Sequence, residues 1–322
     1  MTMSKQKLLL TGSGGFICSN FIRKAIFEKK PYDIISIDKV TKSSVLNNIY
    51  SNKNHTFYIG DIADEHFVNV IFEYERPDII LHMAAESSVD ESIKDPNKFI
   101  HSNVLGTQVL LNAAIKWEVK NFVYVSTDEV YGQLENDAAP AWKEDASLNP
   151  RNPYSASKAA GELLVKAAGA SFGLNYKITR SSNNYGPRQT AEKLIPRVIK
   201  CVMEESPIPI YGQGLQMRDW LHVFDNCSAI IKVLEDGKNN EIYNISANQE
   251  YTNIEVVNEI CNILGKGHNL ISHIKDPRNA HDFRYAMDSS KLKTIGWDPK
   301  YKFKAGLAET VEWYTNNKFF LK

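Results

Sequence analysis

The chain has 322 residues, of which 43% are hydrophobic and 24% charged, and its 38 basic side chains balance 38 acidic ones. These values fit a globular protein of one large or two modest domains, and zero net charge gives no bulk attraction to nucleic acid or to a membrane surface. The cysteines Cys18, Cys201, Cys227 and Cys261 form no CxxC pair, so neither a metal site nor a disulfide framework is expected. No apolar run approaches the ~18 residues that span a bilayer, and the polar start predicts no signal peptide. A cytoplasmic protein is therefore expected.

The first half of the chain alternates short apolar runs with longer segments of helical periodicity. Strands are predicted at 7–10, 33–37, 55–59, 78–82, 121–126 and 176–179, and helices at 16–28, 99–116 and 153–168. Strands that are apolar throughout belong to a parallel sheet covered on both faces, and strand–helix alternation gives right-handed crossovers. The pattern predicts an α/β fold with a doubly wound parallel sheet of the Rossmann type.

The first predicted strand ends in the glycine-rich sequence TGSGGFI, residues 11–17. Gly12 and Gly15 allow a tight turn that brings backbone N–H groups to a pyrophosphate at a helix N-terminus. Such a turn also occurs in ordinary βα units, but Asp38 ends the second strand, where an acid binds the adenosine ribose hydroxyls and disfavours a 2′-phosphate. Together these residues predict a site for NAD. Cys18 replaces the third small glycine, and we expect it to be a core residue with slightly looser packing.

Two polar groups lie near the fifth predicted strand. Tyr154 and Lys158 are four residues apart near a helix start, and so they share one face. A nearby ammonium and a nicotinamide cation would lower the pKa of the phenol, although a YxxxK pair also occurs on ordinary surface helices. The strand itself ends in Thr127-Asp128-Glu129, where open α/β sheets bind ligands. A solvated Asp-Glu turn is the alternative, but the apolar strand directs this turn to the cleft, so we predict an acid–base pair.

The segment after residue 185 has mixed short segments, prolines and the sequence YGQG. This pattern predicts a smaller α+β lobe, with the apolar run at 241–245 returning to the main sheet as a strand. We expect an NAD-binding domain over 1–185 and a C-terminal substrate lobe over 186–322.

Ordered motifs extend along nearly the whole chain: TGSGGFI, HMAAESSVD, STDEVYG, NPYSASKA, RSSNNYGPRQ, EKLIP, PIPIYGQG, MRDWLHV, YNISANQ, HDFRY and GLAETVEWY. In these motifs the chain resembles the nucleotide-sugar 4,6-dehydratases of the extended short-chain dehydrogenase/reductase superfamily. TDEVYG is the narrower discriminator, because related 4-epimerases carry small or hydroxyl residues where Asp128 and Glu129 stand. The resemblance implies 4,6-dehydration of dTDP-glucose or UDP-glucose with bound NAD, in a homodimer formed through helices 99–116 and 153–168.

The resemblance also implies a role for each candidate catalytic residue. Tyr154, assisted by Lys158 and Thr127, removes the C4 hydroxyl proton while the C4 hydride passes to NAD. The 4-ketone acidifies C5–H, so that Glu129 abstracts that proton and Asp128 protonates the leaving C6 hydroxyl. Hydride then returns to C6. Asp128 must be protonated and Glu129 ionised at this step, so we predict that their pKa values are pushed apart.

Binding residues follow from the same motifs. The implied NAD contacts are Gly12, Gly15, Phe16, Ile17, Asp38, Lys39, Thr41, Asp61, Ile62, Ala84, Ala85, Ser87, Asn103, Tyr154, Lys158 and Asn184. The implied nucleotide-sugar contacts are Ser88, Thr127, Asn183, Lys193, Leu194, Pro209, Tyr211, Arg218, Asn253 and Arg278. Arg218 and Arg278 suit bidentate contacts with a pyrophosphate. The family sequence DRPGHD is altered around Arg278, and Ser88 stands where many members have histidine.

Two alternatives remain open at this point. An NAD-dependent nucleotide-sugar 4-epimerase is the nearest, although epimerisation needs no acid–base pair for loss of water. A non-catalytic dinucleotide-binding protein is the other, because fold does not fix function. Uracil and thymine differ by one methyl group, worth only ~1–3 kcal/mol in a pocket, so the sequence leaves the base undecided.

Overall fold

The computed structural model describes residues 5–41, 46–278 and 281–321. Its strands are β1 (Gln6–Thr11), β2 (Tyr32–Asp38), β3 (His55–Ile59), β4 (Ile79–His82), β5 (Asn121–Thr127), β6 (Tyr176–Ser181), β7 (Asn183–Tyr185), β8 (Ile208–Tyr211), β9 (Met217–His222), β10 (Glu241–Ile245), β11 (Glu250–Thr252), β12 (Ile271–Ile274) and β13 (Arg284–Tyr285). Its α-helices are α1 (Phe16–Phe27), α2 (Glu65–Glu75), α3 (Val89–Lys94), α4 (Pro96–Phe99), α5 (Gly106–Lys116), α6 (Pro153–Phe172), α7 (Leu194–Met203), α8 (Val223–Asp236), α9 (Asn253–Leu264), α10 (Ser290–Thr294) and α11 (Phe303–Asn316).

Seven strands form one parallel sheet in the order β10-β6-β5-β4-β1-β2-β3. The order reverses at β1, which pairs with β2 on one side and β4 on the other, as in a doubly wound fold. The predicted Rossmann-type sheet is confirmed. The run at 241–245 joins it through β10, which pairs with β6 from Glu241 opposite Lys177 to Ile245 opposite Ser181.

Alternating side chains of the central strands supply two cores, one on each face of the sheet. Leu8 and Leu10 pack with Phe21 of α1 and Ile230 of α8. Leu9 lies in the opposite core with residues of α2, α5 and α6. Cys18 is 2% exposed in the first core, next to α8, and carries no disulfide. Strands buried on both faces explain the continuous apolar runs in the sequence.

One predicted helix, at 99–116, is wrong in its detail. Helix α4 ends at Phe99, a π-helical segment covers Ile100–Leu105, and α5 begins at Gly106. Within the π segment, Asn103 is turned inward and bonds to both backbone groups of Glu86. The wider π turn directs Asn103 to these contacts. Such segments interrupt α-helices mostly at functional sites.

The second half of the chain is more helical than its mixed short segments predict. Helix α8 leaves this region to pack against α1 beneath the main sheet. A separate apolar core joins α7, α9 and α11 around β8 and β9. Residues 223–245 thus pack with the main sheet, although they follow the predicted domain boundary at 185/186. That boundary remains a prediction. Within the described ranges, no helix is both long and apolar enough to cross a membrane.

Candidate active site

A cleft follows the carboxyl ends of β1, β4, β5 and β6, where the strand order reverses. Ligands of open α/β sheets bind at this topological switch point. The cleft continues into the second half of the chain, where α7, β8 and the segment before β13 form its wall. The sheet thus presents one end of the cleft and the later segments present the other.

The turn after β1 has room only for glycine. Gly12 has a φ of +84°, and a Cβ there would lie 2.9 Å from the backbone of Ala84. Thr11 fixes the same approach, because its Oγ1 accepts hydrogen bonds from the N–H groups of Met83 and Ala84 at 3.1 and 3.0 Å. The two strand-end turns are therefore held in contact beneath the N-terminus of α1, where backbone N–H groups are available to an anion.

Asp38 links the end of β2 to this turn. One carboxylate oxygen accepts a hydrogen bond from Gly14 N at 2.9 Å and the other from Val40 N at 2.7 Å. Beside it, the ammonium of Lys39 donates to Ser102 Oγ at 2.7 Å and lies 3.4 Å from the carboxylate of Glu86. The carboxylate of Asp38 and the ammonium of Lys39 thus flank the position expected for the adenosine ribose.

The structure brings nearly all of the predicted NAD contacts to the cleft wall. The end near β2 is lined by Gly12, Gly15, Asp38, Lys39, Thr41, Asp61, Ile62, Ala84 and Ala85. The middle is lined by Phe16, Ile17, Ser87, Tyr154, Lys158 and Asn184.

Asn103 is the exception, and its contact with NAD stays a prediction. It is 1% exposed and lies behind the wall, where its amide donates to Glu86 O at 3.0 Å and to Ser157 Oγ at 2.8 Å. Because Ser157 precedes Lys158 on α6, Asn103 supports the helix that carries Tyr154 and Lys158.

Tyr154 and Lys158 lie on the first two turns of α6, where Lys158 is buried and Tyr154 is partly exposed to the cleft. The ammonium of Lys158 donates to Val125 O at 2.8 Å and lies 4.0 Å from the ring centre of Tyr124. Burial lowers the pKa of Lys158 to about 7, against the opposing charge of Glu162. Burial raises the pKa of Tyr154, as do the carboxylates of Glu129 and Asp128, whereas a hydrogen bond with Thr127 lowers it.

The expectation of a lowered phenol pKa is therefore not met in the protein alone. The physical reasons are, first, the removal of the Tyr154 phenol from water and, second, the two carboxylates that face it, while the ammonium of Lys158 points to the backbone of β5.

The two adjacent carboxylates lie at the end of β5 in different surroundings. Thr127 Oγ1 donates to Asp128 Oδ1 at 3.1 Å, and Asp128 Oδ2 is buried with no hydrogen-bond partner. Burial and the charge of Glu129 raise the pKa of Asp128 to about 8. Burial also raises the pKa of Glu129, but a hydrogen bond from Asn152 and the charges of Arg218 and Lys193 oppose it. At neutral pH this arrangement favours a protonated Asp128.

The sequence reasoning missed Asn152, which donates from Nδ2 to Glu129 Oε2 at 3.1 Å. Asn152 is also the N-cap of α6, in a capping box with Ser155. Asparagine before a proline at the first helical position is a recognisable helix start. That signal predicts the cap, but it does not predict the hydrogen bond to Glu129 in the turn after β5.

The far end of the cleft collects the predicted nucleotide-sugar contacts from distant segments. They are Ser88, Asn183, Lys193, Leu194, Pro209, Tyr211, Arg218, Asn253 and Arg278, and Thr127 lies in the adjoining middle part. Ser88 accepts a hydrogen bond from Glu91 N as the N-cap of α3. Lys193 donates from Nζ to Ser87 O at 2.9 Å, across from the dinucleotide end.

The two arginines expected at a pyrophosphate already have protein partners. Arg218 donates to the carbonyl oxygens of Met217, Phe283 and Asp282 at 2.7 to 3.0 Å. Arg278 donates from Nε to Asp90 Oδ1 at 2.7 Å, so it bridges the cleft to α3. Its pyrophosphate contact stays a prediction, as does that of Arg218.

The doubly wound sheet, the glycine turn and the Tyr154–Lys158 pair define an enzyme of the short-chain dehydrogenase/reductase type. The model of the GDP-mannose 4,6 dehydratase family matches residues 9–310. The chain belongs to this family, and the family-level resemblance drawn from the motifs is confirmed.

Relatives and solved structures agree with this assignment. The dTDP-glucose 4,6-dehydratase of Streptomyces niveus is 42% identical over 320 residues, covering 97% of this chain and 94% of that protein. A trifunctional UDP-glucose 4,6-dehydratase, epimerase and reductase of Arabidopsis thaliana is 38% identical over 98% of this chain and 48% of its own length. The structure of dTDP-glucose 4,6-dehydratase from Streptomyces venezuelae with NAD bound has a TM-score of 0.93 at 38% identity, covering 98% of this chain and 100% of that one. UDP-glucose 4-epimerase of Thermotoga maritima has a TM-score of 0.90 at 30% identity, covering 97% and 100%.

Proposed function

We propose that this protein is an NAD-dependent 4,6-dehydratase of dTDP-glucose or UDP-glucose, a hydro-lyase that forms the 4-keto-6-deoxy sugar nucleotide. The observation that carries the proposal is the pair of Asp128, which is buried, and Glu129, which is partly exposed, in the same part of the cleft as Tyr154 and Lys158 of α6. Loss of water needs an acid and a base in addition to the group that acts at the C4 hydroxyl. Relatives named as dehydratases match nearly the full chain.

The cleft fits a bound NAD. The close contact of Gly12 with Ala84 leaves the turn open to a pyrophosphate, and Asp38 stands where ribose hydroxyls would bind. When bound, NAD supplies the hydride acceptor for C4 and the hydride donor for C6. The protein must hold the cofactor through the whole turnover, because the hydride taken from C4 returns to C6 and no net oxidant is consumed.

The roles at C4 fall to Tyr154, Thr127 and Lys158. Tyr154 takes the proton of the C4 hydroxyl, and Thr127 orients the phenol by hydrogen bonding. Because burial and nearby carboxylates raise the pKa of Tyr154, positive charge must lie beside the phenol when it accepts the proton. Lys158 is buried one turn further along the same helix face and is the candidate to provide that charge.

The roles at C5 and C6 fall to the carboxylates. Asp128, with its pKa at about 8, carries the proton that the C6 hydroxyl needs to leave as water. Glu129 accepts the C5 proton while Asn152, Arg218 and Lys193 favour its ionised form. One carboxyl thus acts as the acid and its neighbour as the base.

Incubation of the purified protein with dTDP-glucose and, separately, UDP-glucose tests the proposal, with NAD as the only addition. Loss of one water by mass, absorbance of the keto sugar in alkali and no net reduced cofactor are expected. The ratio of the two rates measures selectivity for the base. An epimerised product, or bound NAD without turnover, would contradict the proposal.

We also propose a cytoplasmic homodimer. Apolar side chains of the π segment and α6 are exposed on the described chain, with Ile100, Leu105 and Leu163 at 52%, 46% and 56%. A second copy packing the same two segments would cover them. The four free cysteines support a reducing location. Light scattering should give twice the chain mass for the wild type and one chain mass for Leu163→Asp, with Phe172→Asp as an exposed control on the same helix.

A further inference from the structure

Asn152 uses its two amide atoms on two different elements. Its Oδ1 accepts a hydrogen bond from Ser155 N at 2.9 Å, which caps α6, and its Nδ2 donates to Glu129 Oε2 at 3.1 Å. The cap fixes the orientation of the amide, because only the oxygen can accept from a backbone N–H. The NH₂ group must therefore face the carboxylate.

We propose that Asn152 is a positioning residue for dehydration, which holds Glu129 ionised and in register with Tyr154, two residues further on the helix that it caps. This inference rests on the proposed function, because it gives Glu129 the role of base.

The surrounding loop holds Asn152 firmly against the turn after β5. Asn149 N donates to Val130 O at 2.9 Å. Gly132 has a φ of +80°, and a Cβ there would lie 2.4 Å from Asn149 O. Next to Asn152, the guanidinium of Arg151 lies 2.9 Å from the carboxylate of the buried Asp282. The start of α6 is thus docked onto the acid–base turn, residues 127–132, and onto the segment before β13.

Several charged or titratable groups face Glu129 from other elements. They are Arg218 on β9, Lys193 before α7, Asp282 before β13, Tyr285 on β13, Tyr154 on α6 and the adjacent Asp128. Among the influences that lower the pKa of Glu129, the hydrogen bond from Asn152 is the largest, ahead of Arg218 and Lys193. Its loss should leave burial less opposed and favour the protonated, inactive form of the base.

Asn152→Ser separates the helix cap made by this residue from its hydrogen bond to Glu129. Serine caps a helix as well as asparagine does, but it has no NH₂ group to reach Glu129. We expect an unchanged melting temperature, an unchanged KM and about ten-fold lower kcat at neutral pH, since a hydrogen bond to a charged group is lost. The acidic limb of the pH–rate profile should move to higher pH. Asn152→Asp also caps, but it places a second anion beside Glu129, so its acidic limb should move further.

Two further measurements sharpen the test. Deuterium uptake at C5 of the sugar, followed by mass, should slow in Asn152→Ser together with kcat. Asp64→Ser exchanges the N-cap of α2, whose side chain accepts from Phe67 N of its own helix and does not reach Glu129, and should leave the profile at saturating NAD unchanged. An acidic limb of Asn152→Ser that coincides with the wild type would overturn the positioning role while the dehydratase stands. A wild-type protein that releases no water would overturn both proposals.

Discussion

The two ends of the cleft are built by different means. The dinucleotide end uses backbone groups and small side chains of turns that directly follow β1, β2 and β4. The sugar end uses charged and polar side chains from α3, α7, β9 and the segment before β13. The first is a local product of the sheet, whereas the second assembles segments far apart in the chain.

This difference separates what each end can tolerate. At the dinucleotide end, added bulk should do the harm, because the backbone itself approaches the ligand. At the acid–base turn, a change of charge without a change of shape should be enough to stop the reaction.

The largest effect should come from isosteric changes at the acid–base turn. Asp128→Asn and Glu129→Gln should each lower kcat for loss of water by about 10²- to 10⁴-fold, as expected when a general acid or base is removed. Binding of NAD, measured by calorimetry, should stay near that of the wild type. Near-normal dehydration by either variant would contradict the assigned roles.

The wild-type pH profile gives the same pair a second test. Because Asp128 acts as an acid and its pKa is raised to about 8, activity should fall as the pH rises through that value. The same residue makes the fold less stable above the pKa of an unfolded aspartic acid, near ~3.9, since the folded state binds the proton more tightly. Asp128→Asn should remove this loss and raise the free energy of unfolding at pH 8, measured by urea denaturation.

Much of the dinucleotide end can be predicted from sequence because its signals are local. The spacing of Gly12, Gly15 and Asp38 follows from one βαβ unit, whose geometry is fixed by the parallel pairing of β1 and β2. The apolar runs predict the strands for the same reason, since both faces of the sheet are covered.

The contacts behind and across the cleft cannot be predicted in this way. Asn103 lies in a π segment that helical periodicity does not distinguish from an α-helix, and its partner Ser157 is 54 positions away. The hydrogen bond of Asn152 to Glu129 spans 23 positions and depends on how the start of α6 packs against the turn after β5. In the protein alone the pKa of Tyr154 is raised, because burial and two carboxylates outweigh a lysine that points elsewhere, and this balance cannot be read from the YxxxK spacing.

A buried ion pair should show the next largest effect. Arg180 of β6 and Glu162 of α6 are 2% and 0% exposed and lie 2.6 Å apart, and Arg180 also donates to Tyr131 of the acid–base turn. Arg180→Met leaves the carboxylate buried without its cation and should cost about 3–5 kcal/mol of unfolding free energy. Urea denaturation measures this loss.

Two variants control for the change in shape. Arg180→Met combined with Glu162→Leu removes both charges and should recover much of the stability. Lys30→Met breaks the partly exposed pair with Glu235 and should cost no more than ~1 kcal/mol. Equal losses in Arg180→Met and Lys30→Met would show that burial does not set the strength of the pair.

Bulk at the dinucleotide turn should have a smaller effect on stability but a selective one on binding. Gly12→Ala adds strain at a positive φ and a contact of 2.9 Å with the backbone of Ala84, and should cost about 2–3 kcal/mol along with most of the affinity for NAD. Gly173→Ala has a similar φ of +72° with nothing within 4 Å, so it reports the strain alone. NAD affinity lost equally in both would point to strain and not to crowding at the turn.

The smallest effect should come from His82, which links Thr11 of β1 to Thr107 of α5 by a directed chain of hydrogen bonds. Thr107 Oγ1 donates to Asn103 O, so it accepts from His82 Nε2, and His82 Nδ1 must accept from Thr11 Oγ1. The imidazole is therefore neutral, and burial and the charge of Lys158 hold its pKa well below the usual value. Only the unfolded state binds the proton, so this stabilisation is present above pH ~6.5 and is lost as the pH falls below it.

His82→Gln should reduce the acid dependence of the unfolding free energy by about one proton, or ~1.4 kcal/mol per pH unit between pH 6 and 5. Urea denaturation at several pH values measures the slope. His66→Gln on the exposed face of α2 is the matched control. If His82→Gln keeps the full wild-type slope, the other histidines with lowered pKa values, His55, His222 and His281, carry it, and the chain through Thr11 does not couple the dinucleotide turn to protonation.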